Sequence, residues 1–142
     1  MCVENPVPFH SDVPIIAYKM MLYDSETNTI QSMIAGNRYL MGTSNVASEP
    51  SSFFCTSCSN EYETGFHAYE KKEDVEKLCT LYPRCLDSHE IRIIEVEITE
   101  ITHKGVEITK ITHKGDEWNI NLSLLASVYV AQKCRFIRVI EE

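Results

Sequence analysis

No stretch of this sequence comes near the roughly 18 consecutive apolar residues that suggest a membrane span; its hydrophobic residues fall in short runs. The opening Met1-Cys2-Val3-Glu4-Asn5-Pro6 has neither the basic nor the apolar region of a secretory signal. From these two absences we expect a cytoplasmic protein. Disulfides are rare in that compartment, so Cys2, Cys55, Cys58, Cys79, Cys85 and Cys134 read first as thiols or metal ligands. Positive charge is also scarce. Lys and Arg number 13 against 21 Asp and Glu, a formal net charge of −8. Binding to duplex nucleic acid needs several neutralised phosphates, so that class of partner is excluded. The phosphate-cradling patterns GxGxxG and GxxxxGK[ST] are missing, as is the nucleophile elbow GxSxG.

What is there fits one folded unit. The 142 residues are 44% hydrophobic and 24% charged, close to the globular average, and a domain of that length buries roughly 68–70% of its extended-chain surface. We expect a single α+β domain over residues 1–142. Its sheet should be mainly antiparallel, with one principal helix at about 70–82 packed on it. Residues 1–12, with Pro6 and Pro8, read as extended. Val13 to Tyr23 reads as a first strand and Asp24 to Asn28 as a polar turn; Thr29 to Met41 is ambiguous, either a second strand broken at Gly36-Asn37 or part of a Met20–Met41 segment that is helical in part. The small polar stretch 42–52 reads as a long loop. Val75, Leu78, Cys79 and Tyr82 recur at helical spacing, while Lys71, Lys72, Glu73, Glu76 and Lys77 take the other face; Pro83 marks the end.

From Ile91 the period changes to two. Ile94, Val96 and Ile98 alternate with Glu95, Glu97 and Thr99, the pattern of a half-buried strand. A repeat follows: Val96–Gly105 and Val106–Gly115 agree at nine positions of ten. Its even length keeps each residue on the same face in both copies, and two copies are too few for a solenoid. We expect an extended hairpin over about 91–120 with a bend at Lys104-Gly105, and a last strand from Ser127 to Ile140.

Four sets of residues have the chemistry of a site. Cys55 and Cys58 have the spacing at which two thiolates share a zinc ion, with His67, Cys79 or Cys85 as further ligands; the alternative is a pair of plain thiols. His67, between Gly65-Phe66 and a helix, suits either a general base or a structural hydrogen bond. Its counterparts His103 and His113 are copies of one repeat position, which argues against catalysis there. Arg84, Lys133, Arg135 and Arg138 offer a small anion pocket or an ordinary solvated surface. Regular alternation would set Arg135 and Arg138 on opposite faces of one strand, so they would converge only between subunits. Of the aromatics, most belong in the core; Trp118, in the polar Gly115-Asp-Glu-Trp-Asn119, is the one to place at an interface or stacked on a ligand.

The order of these motifs is informative. Met1-Cys2-Val3 leads to a strand with Tyr18-Lys19. Gly65-Phe66-His67-Ala68-Tyr69 then precedes a helix with Glu73-Asp74-Val75. Ile94-Glu95-Val96-Glu97 and a closing Ala131–Ile140 complete the series. The layout resembles a group of small phage and bacterial proteins that share a GFHxx segment, an acidic helix, a valine-glutamate strand and a basic-apolar last strand. The tandem repeat departs from it. The resemblance implies a phage accessory protein acting on the host, in the host cytoplasm, and anti-defence is one such role. The expectation that follows is a non-enzymatic homo-oligomer that sequesters a nucleotide-type immune signal, such as a cyclic nucleotide or cyclic ADP-ribose derivative. Gly65, Phe66, His67, Tyr69 and Trp118 would form its pocket, and Arg135 or Arg138 would meet phosphate. One alternative is an inhibitor that binds a host protein through its sheet edge or hairpin. Another is a His67-dependent nucleotide hydrolase or transferase.

Overall fold

The computed structural model describes residues 4–31, 38–46, 52–55, 60–63, 65–79, 85–86, 89–114 and 119–140. In chain order these form β1 (Glu4–Pro8), β2 (Ile15–Asp24), β3 (Thr29–Gln31), β4 (Arg38–Leu40), β5 (Ser44–Val46), β6 (Ser52–Cys55), β7 (Asn60–Glu63), β8 (Phe66–Tyr69), α1 (Lys72–Cys79), β9 (Cys85–Leu86), β10 (His89–Lys114) and β11 (Asn119–Ile140). The described residues are mostly antiparallel sheet with a single short helix, which meets the α+β expectation in its coarse sense.

The main sheet runs β1-β10-β11-β8-β2-β3-β4, and β2 also pairs with β10. The four strands β10, β11, β8 and β2 therefore trace a closed circuit. β5 joins β11 and β9 joins β10, while β6 and β7 form a separate two-stranded ribbon. Alternation gives the sheet two apolar faces. Ala17, Met21, Ala68, Ile94, Val96, Ile98, Ala131, Cys134 and Phe136 form one cluster. Tyr69, Ile93, Val128, Val130 and Ile140 form the other, with Val75 and Leu78 of α1. β2 contributes to both clusters, since Tyr18 and Met20 pack on the second, which is why its sequence is nearly continuous in apolar residues. The helix follows its spacing. Val75 and Leu78 are buried, Glu73 and Asp74 occupy the first turn, and Lys77 the last, in line with the helix dipole. The expected break at Gly36-Asn37 and the helix end at Pro83 lie outside the described residues.

Several expectations need correction. The last strand, read as starting at Ser127, already begins at Asn119. Ser44–Val46, read as loop, is a strand on β11: Val46 pairs with Lys133 and Ser44 with Arg135. Lys104-Gly105, read as a bend, lies in mid-strand, opposite Tyr129 and Val128. Both repeat copies thus run along one 26-residue strand, and β11 is the hairpin partner of each. Gly105 does not have the positive φ of a turn; Gly42, at 81°, is the described glycine that does. The irregularity comes earlier, where Glu100 takes a φ of 51° and the register slips between Ile101 and His103. There the Thr102 carbonyl accepts a 3.0 Å hydrogen bond from the Phe9 amide, so the bulge is also where the N-terminal segment is held.

Candidate functional site

The expected pocket residues centre on β8, which lies between β11 and β2. Gly65 is fixed by space. A Cβ there would stand 2.6 Å from the Ala131 carbonyl oxygen and 2.8 Å from Gln132 Nε2. Phe66 pairs with Ala131 and meets Phe136 edge-on, ring centres 6.4 Å apart. Tyr39 completes the group, 4.9 Å from Phe136 and 6.0 Å from Phe66. His67 and Tyr69 take the opposite face, across from Val130 and Val128. The Tyr69 hydroxyl donates 2.6 Å to Glu107 Oε1, and both side chains are buried.

Beside β8, the Lys19 ammonium donates 2.5 Å to the His67 carbonyl oxygen. Burial lowers the lysine's pKa, against the pull of Cys134 and Glu107. Burial, and then the Lys19 charge, push the His67 imidazole down to about 4. At neutral pH the ring is therefore uncharged. Burial pushes the Cys134 thiol up to about 11, so it is protonated and a poor nucleophile. The arrangement orders a histidine, a tyrosine, a carboxylate and an ammonium within the packing of the sheet. It holds protons in place; a reacting pair would need a nucleophile poised to lose one.

The arginines are placed differently from the sequence reading. Arg138 Nε donates 2.5 Å to Glu95 Oε2, and Arg135 lies 3.6 Å from Glu97 Oε2. Glu95 and Glu97 are two residues apart on β10 and so share a face, and each stands directly opposite its arginine. Arg135 and Arg138 are therefore on the same face, not opposite ones. The cause is a register shift between Glu95 and Val96, where one extra residue on β11 restores the parity. Both guanidiniums are exposed and held by carboxylates of this chain. Arg135 is five residues along β11 from Val130, the partner of His67, a separation of roughly 17 Å along the strand. The structure thus places Gly65, Phe66, His67 and Tyr69 at β8 but splits them, with Phe66 on one face and His67 and Tyr69 on the other, and it does not bring Arg135 or Arg138 to them.

Trp118, Cys58 and Arg84 lie outside the described residues, as does the side chain of Cys55 at the end of β6. Among the described residues no group of three or more His, Cys, Asp and Glu is placed to hold a metal ion, and no helix is long and apolar enough to cross a membrane. Sequence reasoning passed over three polar features. Two of them are Lys19, half-buried on β2, and Glu107, buried on β10. The third is Lys104, whose ammonium lies 5.2 Å from the Tyr129 ring centre and 5.7 Å from that of Phe9, and 3.2 Å from Glu70. A charge inside an otherwise apolar run is the signal that would have found Lys19. Comparison of the chain with models of protein families, with curated proteins and with solved structures gives no match.

Proposed function

We propose that this chain is a non-enzymatic binding module that engages a protein partner through the arm formed by β10 and β11. The observation that carries this reading is the length of the ribbon. Beyond Glu107 and Ala126, the cross-strand pairs continue from Ile108 and Leu125 to Lys114 and Asn119. That is seven more pairs, or roughly 23 Å of ribbon. Among the described residues no third strand pairs with this part. A ribbon of this kind presents main-chain donors and acceptors to another chain, the basis of recognition by strand addition. The engagement of Phe66, Tyr69, Arg135 and Arg138 within the chain adds support, because a nucleotide-sequestering pocket would need those groups turned to a ligand. The host-directed accessory role implied by the resemblance fits a blocking module of this sort.

The test compares the full chain with a shortened form in which residues 108–125 are replaced by Asn-Gly. Glu107 and Ala126 are directly opposed, so a two-residue type I′ turn can close that hairpin. The full chain should retain one stoichiometric protein partner from host lysate, and the shortened chain should lose it while keeping its melting transition. Native mass spectrometry that instead finds a nucleotide-sized adduct and no protein partner would overturn the proposal and restore the sequestration reading.

A further inference from the structure

The two edges of the arm differ in a way that points to an occupant. On β10 the arm carries Lys110, His113 and Lys114, cations that would repel a second copy of the same edge while suiting an acidic partner. On β11 the corresponding stretch is Asn119-Ile-Asn-Leu-Ser-Leu-Leu-Ala126, with no charge, no proline and no glycine. Such segments are the ones most prone to pair with another strand. The part of β11 that lies within the described circuit is covered: β8 pairs with Val128–Ala131 and β5 with Lys133–Arg135. Among the described residues the stretch 119–126 has β10 alone as its strand partner. A lone two-stranded ribbon is marginal in water, and three or more strands are needed for independent stability. Leu125, at the base of the arm, is 64% exposed.

We infer that the β11 edge of the arm is a docking site for the same edge of a second copy, and that the two pair antiparallel about Leu122. The sequence is self-complementary in that register. Ile120 would face Leu124 of the other copy, Asn121 would face Ser123, and Leu122 would lie opposite itself on the twofold axis. Ile120, Leu122 and Leu124 would meet on one face and Asn121 and Ser123 on the other, with Asn119 opposite Leu125 at the ends of the contact. The contact is isologous and closes at two copies, giving a four-stranded sheet in the order β10-β11-β11-β10. The β10 edges stay on the outside, open to the protein partner proposed above. This inference rests on the arm as the binding element, but it assigns a different edge to a different occupant.

The twofold register makes the test specific. Leu122→Glu sets two carboxylates opposite each other, and Leu122→Lys sets two ammonium groups; each should give a monomer. Mixed one to one, the two variants place unlike charges across the axis and should return a dimer, which a variant that had failed to fold would not do. Light scattering with size-exclusion chromatography, or native mass spectrometry, reads the result. A wild-type chain that is monomeric at its highest soluble concentration would overturn the inference. So would a dimer that survives both substitutions, or a mixture that stays monomeric. Partner capture by the monomeric variants separates the two proposals. If it is kept while the dimer is lost, the edges are distinct as assigned. Loss of capture with a normal melting transition would show one edge serving both, and would overturn the assignment of separate edges.

Discussion

Alanine at position 65 should weaken the fold of the ligand-free protein, because that glycine answers to packing. Two effects oppose each other. Replacing a glycine restricts the unfolded chain and stabilises by about 0.4–1 kcal/mol where the folded backbone can accept a side chain. Here the new Cβ would stand 2.6 Å from the Ala131 carbonyl oxygen and 3.2 Å from its carbon, both backbone atoms of a paired strand. Overpacking of that kind typically costs about 1–3 kcal/mol, so the steric effect should win by about 1–2 kcal/mol. For a chain of this size that is a fall in melting temperature of roughly 2–8 °C. Thermal and urea unfolding followed by circular dichroism would measure it. Adding Gln132→Ala removes the 2.8 Å contact with Nε2 but leaves the backbone contact, so the double variant should recover only part of the loss. Gly42 is the control. Its φ is 81° with nothing within 4 Å of the added Cβ, so Gly42→Ala should pay backbone strain alone, about 1–2 kcal/mol. A Gly65→Ala protein as stable as the parent would refute the close approach on which this reasoning rests.

Further substitutions probe the same region. The folded-state pKa of His67, about 4, lies below the ordinary 6.5, so between those values the unfolded state binds more protons. Its contribution is complete above pH 6.5 and is lost as pH falls toward 4, at up to about 1.4 kcal/mol per pH unit; the stability of His67→Gln, measured by urea titration across that window, should lack this component. Tyr69→Phe removes a 2.6 Å donor from the buried carboxylate of Glu107. It should cost about 1–3 kcal/mol, whereas Tyr69→Phe combined with Glu107→Gln should cost less than the two changes summed, which a double-mutant cycle would read. Phe136→Ala empties the place where Phe66 and Tyr39 meet and should lose about 3–5 kcal/mol, seen as a lower urea midpoint with an unchanged m-value.

The parts of this fold that were legible in the sequence are those governed by period. The alternation from Ile94 to Ile98 placed its apolar residues in one buried cluster, and the spacing of Val75 and Leu78 gave the face on which the helix packs. The turn at Asp24–Asn28 followed from composition. What escaped notice depends on single-residue slips and on backbone pairing. Ser44–Val46 joins β11 through main-chain hydrogen bonds, without the apolar alternation that marks a half-buried strand. The bulge beside Phe136 adds one residue, enough to move Arg138 onto the face of Arg135, and no periodicity announces it. Lys104-Gly105 looked like a turn by residue type, but both residues are paired across to Tyr129 and Val128, and the strand runs straight through them. At the candidate site, the sequence singled out Gly65, Phe66, His67 and Tyr69 as a group. It did not show that Lys19 and Glu107 stand beside them, since those residues come from strands far away in the chain.

The closed circuit of strands has unequal joints. β10 runs beside β2 and β11 through long ladders of paired residues, and β8 meets β11 through four pairs. Between β2 and β8 there is one, Tyr18 with Tyr69, and next to it the Lys19 side chain reaches across to the His67 carbonyl. A side chain there does what main-chain bonds do elsewhere, so the circuit is fastened as a clasp rather than a seam. Free energies of partial opening follow such local differences. Breathing of this molecule should begin by parting β2 from β8 while the long β10–β11 ladder stays intact, and the residue that governs how often it happens is a lysine.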